Sequence, residues 1–101
     1  MMIVYLTTQN VEDAKEISRH LLKKKLVACT NIFPIESMYA WKGEIQEDME
    51  FVVLLKTKDE NYDKIEKEIK KTHKYDTPAI YSWKADKINK KYSDWINTEC
   101  K

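Results

Sequence analysis

The sequence has very little glycine, proline, cysteine and histidine. Among its 101 residues there are one glycine, two prolines, two cysteines and two histidines. A single glycine excludes the glycine-rich loops that cradle a phosphate or a dinucleotide, because each such loop needs several glycines. Two histidines and the absence of a Cys-x-x-Cys pair exclude a zinc site of the usual spacing within one chain.

A long apolar run and an excess of charge of one sign are also missing. No apolar stretch approaches the roughly 18 residues of a membrane span, and the first residues show no cationic segment with a cleavage site. The formal net charge is +1 although 35% of the residues are charged, which disfavours a nucleic-acid partner. Cys29 and Cys100 lie far apart in the sequence, as is typical of reduced thiols. We therefore expect a cytoplasmic protein with no membrane and no nucleic-acid partner.

The apolar residues that are present predict one domain over residues 1–101, of class α/β (α+β). The predicted order of elements is a strand, a helix that begins at Asn10, a long hairpin, a second helix, a fourth strand and a short C-terminal helix. With right-handed crossovers, this order gives a split β-α-β sandwich in which two helices cover one face of an antiparallel sheet. The predicted ranges are 2–8, 26–33, 35–41, 45–57 and 79–84 for the strands and 89–100 for the last helix.

Two local details are predicted within this frame. Pro34 should interrupt the second strand and implies an edge strand or a bend, because proline cannot donate to a ladder. Thr57 and Glu60 have the spacing of a capping box and should begin the second helix. In the hairpin, pairing Trp41 with Ile45 through a three-residue loop keeps the apolar residues of both strands on one face.

The third strand predicts that a single copy of the chain cannot cover all of its apolar surface. About 13 residues at roughly 3.3 Å each give about 43 Å, whereas a 100-residue domain has a radius of gyration of roughly 13 Å. The run from Phe51 to Leu55 is apolar on both faces, and the helices can cover only one of them. A symmetric homo-oligomer is the simplest cover for the other face and for the overhanging hairpin.

Three places carry polar groups that could do chemistry. The loop from His73 to Pro78 brings together an imidazole, a phenol and a carboxylate, and from composition alone it is as consistent with an ordinary turn as with a functional loop. Cys29 is either a small buried side chain, as free cysteines usually are, or a soft ligand for copper. His20 is surrounded by charged neighbours and is interpreted as a surface residue. No serine has the context of a nucleophile elbow.

Several motifs resemble those of the CutA divalent-cation tolerance proteins, and the resemblance covers essentially the whole chain. The motifs are Val27-Ala28-Cys29-Thr30-Asn31-Ile32, Tyr39-x-Trp41-x-Gly43-x-Ile45-x-Glu47-Asp48-x-Glu50, Lys56-Thr57, His73-x-Tyr75-x-Thr77-Pro78-x-Ile80 and Tyr92-x-x-Trp95-Ile96. The resemblance implies a ferredoxin-like fold in a tight homotrimer that is similar to the nitrogen-regulatory PII signalling proteins. It also implies a role in tolerance to copper and other divalent cations, with no enzymatic activity.

The resemblance implies a site between subunits. His73 and Cys29 are the predicted metal contacts, and the ligand cleft is predicted to contain Tyr39, Trp41, Glu47, Lys56, Tyr75 and Asp76. No cofactor is required, but a divalent cation such as Cu²⁺ is a predicted ligand. Thr7 and Thr72 stand where some members have a cysteine and a histidine, and threonine is a poor ligand for such ions.

Three other functions stay open as alternatives. The first is a PII-like regulator that binds a small molecule and no metal. The second is an RNA-recognition module, which has the same element order but needs stacking aromatics on its third strand; that strand is acidic here, from Glu44 to Glu50. The third is an enzyme that uses the His73, Tyr75 and Asp76 side chains, although it would lack a partner nucleophile.

Overall fold

The computed structural model describes all 101 residues, from Met1 to Lys101. The order of elements is β1 (Met2–Thr8), α1 (Val11–Lys23), β2 (Cys29–Trp41), β3 (Glu44–Thr57), α2 (Tyr62–Thr72), β4 (Ile80–Lys84) and α3 (Lys90–Glu99), with a short 3₁₀ turn at Asp59–Asn61 before α2. All strand pairs are antiparallel, and their order across the sheet is β2-β3-β1-β4. The predicted α/β class is confirmed. Along the chain, α1 lies between β1 and β2, α2 lies between β3 and β4, and α3 follows at the C-terminus.

The helices α1 and α2 pack on one face of the sheet, which we call the covered face. Its centre is formed by Val4, Leu6, Val53 and Leu55, none of which is exposed to solvent. The apolar sides of the helices pack against them with Ala14, Ile17, Leu21, Ile65 and Ile69. Because β1 and β3 are the two central strands, the best-buried residues of the sheet lie there.

Asn10 caps α1 as predicted. Its side-chain oxygen accepts a hydrogen bond of 2.8 Å from the backbone N–H of Asp13, which satisfies one of the free donors of the first turn. The capping box predicted for α2 is wrong, because Thr57 is still part of β3. Its buried hydroxyl donates instead to the Leu26 carbonyl at 2.6 Å.

The predicted register of the long hairpin is wrong by one residue. Trp41 pairs with Glu44, not with Ile45, and the turn consists of Lys42 and Gly43 alone. Both turn residues have positive φ, 50° and 81°, as in the type I′ turns whose twist matches that of the flanking strands. The favourable two-residue turn decides the register, and apolar side chains therefore appear on both faces of the hairpin.

The predicted interruption at Pro34 is also wrong. The strand β2 runs continuously from Cys29 to Trp41, and Pro34 pairs with Phe51. The strand lies at the edge of the sheet, as proline requires. An edge strand pairs on one side only, so a residue there can lack its N–H without breaking a ladder.

The face of the sheet that no helix pair covers is the open face. Aromatic side chains lie along it, with Tyr5 and Tyr81 stacked at 4.7 Å between ring centroids and Trp83 beside them at 6.3 Å. Tyr81 and Trp83 are 52% and 44% exposed. Thr7 and Val52 are the exceptions, since they are buried on this side.

On the N-terminal side of Phe51, β3 pairs with β2 only. Residues 35–50 therefore form a two-stranded arm. The arm lengthens the molecule to 45 Å, compared with 27 and 21 Å along the other axes. Met38, Ile45 and Met49 are exposed on one face of the arm, and Tyr39 and Trp41 are exposed on the other. The predicted overhang is therefore present.

None of the three helices is both long and apolar enough to cross a membrane.

Candidate functional site: an acidic and aromatic groove

A groove of about 1010 Å³ lies between the arm and the loop that follows α2. Four residues of the predicted cleft line it, namely Tyr39 and Trp41 from β2 and Tyr75 and Asp76 from the loop. Tyr5 and Tyr81 of the open face form its floor, and Asp48 and Glu50 of β3 contribute carboxylates. The groove therefore combines aromatic rings with negative charge.

Two phenols hydrogen-bond to the two β3 carboxylates. The Tyr75 hydroxyl donates to Glu50 at 2.8 Å, which fastens the loop to the arm. The Tyr39 hydroxyl donates to Asp48 on the neighbouring strand. Each bond occupies one carboxylate oxygen, and the second oxygen of Asp48 and of Glu50 accepts no hydrogen bond within the chain.

These contacts and burial raise the pKa values of the groove phenols. Burial and then the hydrogen bond to Glu50 raise the pKa of Tyr75 well above its usual range. The hydrogen bond to Asp48 is the main cause that raises the pKa of Tyr39. Burial raises the pKa of Tyr5, with smaller contributions from Tyr81 and Glu50. At neutral pH the phenols are thus neutral donors facing carboxylates.

His73 lies at the end of α2 with both ring nitrogens bonded. Its Nε2 lies 2.7 Å from the Thr7 carbonyl, and its Nδ1 lies 3.1 Å from the backbone N–H of Tyr75. A carbonyl can only accept and an N–H can only donate, so this geometry assigns the neutral tautomer with the proton on Nε2. A metal ion can bind His73 only after one of these hydrogen bonds has been broken.

The structure does not bring Cys29 and His73 together. Cys29 begins β2 and pairs with Lys56, whereas His73 bonds Thr7, which pairs with Val52. Lys56 and Val52 are four residues apart along β3, which is roughly 13 Å. Cys29 is instead close enough to Tyr92 of α3 to contribute to the raised pKa of that phenol, for which burial is the larger cause.

The other two predicted cleft residues lie outside the groove. Lys56 is beside Cys29, at the opposite end of the open face. Glu47 pairs with Met38 on the other face of the arm. Within one chain, no group of three or more His, Cys, Asp or Glu side chains is arranged to hold a metal ion.

Asp48 was not singled out by the sequence, although the motif included it. The signal was the hairpin register: once Trp41 pairs with Glu44, Tyr39 lies opposite Gln46 and diagonal to Asp48 on one face. The same register leaves no aromatic residue of β3 on the open face, because Phe51 belongs to the covered face. The stacking platform that an RNA-recognition module needs on its third strand is therefore absent.

Sequence reasoning also missed a charge cluster between α1 and α2, centred on the buried Glu68. Glu68 of α2 accepts hydrogen bonds of 2.8 Å from Lys24, Lys71 and His20. The lysines, followed by His20, hold the pKa of Glu68 well below its usual range. His20 is a half-exposed residue, as interpreted from the sequence, and it helps to join α1 to α2.

Comparisons with known proteins agree with this fold. The model of the CutA1 divalent ion tolerance protein family matches residues 2–99. The divalent-cation tolerance protein CutA of Thermotoga maritima is 44% identical over 96 residues, which are 95% of each chain. The crystal structure of CutA1 from Pyrococcus horikoshii superposes with a TM-score of 0.96 at 37% identity, over 100% of this chain and 99% of that one.

A further relative is described with a location. The structure of a protein described as the periplasmic divalent cation tolerance protein CutA of Archaeoglobus fulgidus has a TM-score of 0.96 at 38% identity and covers 98% of both chains.

Proposed function

This chain belongs to the CutA1 divalent ion tolerance family, and from that premise we propose that it acts as a homotrimer that binds a divalent cation in clefts between its subunits. The observation that supports the homotrimer is the exposed aromatic surface of the open face. Tyr81 and Trp83 are about half exposed there, and they continue into the exposed Tyr39 and Trp41 of the arm. A surface of that composition favours a protein partner, and further copies of the chain supply one.

The arm supports the same assembly. The two strands of the arm pair with each other and with no third strand of the chain. Apolar side chains are exposed on both faces of the arm. An unprotected two-stranded ribbon of this kind invites edge pairing and aggregation. Packing of the arm against the neighbouring subunit removes that liability.

A metal site shared between subunits is consistent with the lack of a complete ligand set within one chain. Since no three suitable side chains meet within one subunit, a complete ligand set needs residues of two chains. His73 and Asp76 from one chain, with Glu47 of the arm from the next, would give one imidazole and two carboxylates. Such a set should bind Cu²⁺ ahead of Zn²⁺, following the usual order of divalent affinities.

Calorimetric titration of the purified protein with Cu²⁺ and Zn²⁺ tests this ligand set. His73→Ala should weaken Cu²⁺ binding by at least about tenfold, since even outer-shell partners of metal ligands cost 10–100-fold. His20→Ala is the matched control, because His20 is the only other histidine and bonds Glu68 on the helices. Cys29→Ser should matter less than His73→Ala.

Two results would redirect the proposal. Equal Cu²⁺ affinities of the wild type and His73→Ala would remove the loop as the metal site. A larger loss from Cys29→Ser would move the site to the strand thiol at the far end of the open face. Circular dichroism of each variant keeps a loss of folding apart from a loss of binding.

One observation favours the second candidate, a PII-like regulator that binds a small molecule. The groove of about 1010 Å³ is much larger than a bare ion needs, and it lies at the upper end of the range for small-molecule sites.

Two further properties remain predictions. We propose that the protein catalyses no reaction and that it is cytoplasmic. Because one relative is described as periplasmic, fractionation of the source cells is the test of location.

A further inference from the structure

We infer that the outer side of the helix layer, at the C-terminal end of α1, binds an acidic, unstructured segment of another protein. The inference goes beyond the proposed function and concerns the side of the chain opposite the open face. An assembly that covers the open face and the arm leaves this side to the solvent. We call the surface the basic patch and define it by five exposed cations: Arg19, Lys23, Lys25, Lys64 and Lys67.

The contacts of Glu68 bring the cations of the basic patch together. One carboxylate oxygen of Glu68 in α2 lies 2.8 Å from a nitrogen of His20 and 2.8 Å from the ammonium of Lys24, both at the end of α1. The last two turns of α1 therefore lie against the middle of α2. The residue before each of these three is an exposed cation: Arg19, Lys23 and Lys67.

The positive charge of the basic patch is not compensated within the chain. Residues 19–25 hold four lysine or arginine side chains and no carboxylate. No ion pair of the chain includes any of the five cations of the patch. The carboxylate buried beside them, Glu68, is already shared by Lys24 and Lys71. A carboxylate of another molecule therefore finds free cationic groups on this surface.

The backbone of Lys25 provides an independent observation. Its φ of 58° lies in the left-handed region, which glycine adopts without the steric penalty of a side chain. Backbone bonds of 3.0 Å, from Lys25 N–H to the Leu22 carbonyl and from Leu26 N–H to the Leu21 carbonyl, already cap α1. The lysine side chain is therefore not needed as a cap. A strained residue with an exposed charge indicates a role for that charge.

The size and chemistry of the basic patch favour a short flexible run of carboxylates. From Arg19 to Lys25, α1 rises by roughly 9 Å, and the half of α1 before the patch carries the exposed carboxylates Glu12 and Glu16. A long rigid polyanion would meet those carboxylates, whereas a few extended residues at roughly 3.3 Å each fit within the patch. Four of the five cations are lysines, which lack the planar fork with which arginine recognises phosphate.

Fluorescence anisotropy of a labelled octaglutamate peptide, titrated with the full protein, is the test. In about 20 mM salt octaglutamate should bind saturably and octaserine should not, and about 200 mM salt should weaken octaglutamate binding at least about tenfold by screening. Lys23→Gln combined with Lys67→Gln should weaken binding about fivefold. Lys87→Gln combined with Lys91→Gln is the matched control. It removes the same charge from exposed lysines before and within α3, and it should leave the affinity unchanged.

Lys25→Gly separates binding from folding. It removes the side chain from a left-handed position, so the Tm should stay the same or rise. Octaglutamate binding should weaken about twofold, because one exposed charge is lost. A lysine with a purely structural role would instead lower the Tm when replaced and leave binding unchanged.

Several results overturn the inference. They are no saturable binding of octaglutamate, equal losses of affinity in the two double variants, and a Lys25→Gly protein with a lower Tm and unchanged binding. Octathymidylate and phosphatidylserine vesicles, compared with octaglutamate at equal charge concentration, test the choice of partner. Tighter binding of either one would replace the acidic protein segment with a nucleic acid or a membrane and would contradict the inference.

Discussion

The two faces of the sheet are built from the same strands, yet only one of them is complete within a single chain. Leu55 and Leu54 are neighbours on β3, and both are apolar. Leu55 is fully buried under the helices, whereas Leu54 on the open face is only partly buried. Strand residues alternate between the two faces of a sheet. A stretch that is apolar at every position, as from Phe51 to Leu55, therefore indicates that both faces are covered. Here the chain provides one of the two covering layers.

This comparison predicts its largest effect at Leu55. Leu55→Ala should lower the free energy of unfolding by about 2–5 kcal/mol, because it opens a cavity in the helix-covered core. Leu54→Ala removes the same atoms from the open face and should act mainly by loosening the assembly. Urea unfolding at several protein concentrations separates the two. The loss in Leu55→Ala should be similar at all of them, whereas that in Leu54→Ala should grow on dilution.

If both variants lose stability equally and independently of concentration, the open face is stabilised within one chain and the comparison fails.

The next effect concerns the arm. Trp41→Ala should weaken subunit association by about 2 kcal/mol or more, as aromatic anchors of interfaces do, and should change the fold of one subunit much less. Leu22→Ala is the control, because Leu22 is exposed to a similar extent, 39% against 41%, but lies on α1 in the helix layer. Sedimentation equilibrium over a dilution series measures the association. A Trp41→Ala protein that dissociates no more readily than Leu22→Ala would show that the arm is not an interface.

The smallest effect concerns the helix layer and changes with pH only in the acid range. The partners of Glu68 lower its pKa below the ordinary value of about 4.5, so folding favours the charged form. Its contribution to stability is complete above that value and is lost as the pH falls below it toward the folded pKa. Glu68→Gln should therefore flatten the fall in stability below pH 4.5. Glu60→Gln, an exposed change beside α2, should keep the fall.

Thermal unfolding from pH 6 to pH 2 measures this difference. Identical acid profiles of the two variants would show that the cluster does not couple α1 to α2.

Much of the fold follows from local signals. The bounds of β1 are those that the sequence predicts, and Asn10 caps α1, because apolar spacing and caps are properties of a few adjacent residues. The hairpin register is different, since it depends on the turn. Apolar matching favoured Trp41 opposite Ile45, but the type I′ turn of Lys42 and Gly43 fixed it at Glu44.

The site was predictable only in part for the same reason. The residue types of the loop identified Tyr75 and Asp76, and both line the groove. Asp48 depended on the register. The bonds that occupy both nitrogens of His73 come from Thr7, 66 residues away, and from the backbone of Tyr75. A long-range contact of this kind leaves no pattern in the residues around His73.

The mass of the protein in solution tests the central claim most directly. Light scattering coupled to size exclusion, at micromolar protein concentration, should give three times the 12.1 kDa of one chain, or about 36 kDa. A single species at 12.1 kDa would contradict the account, because the open face would then be exposed without a cover.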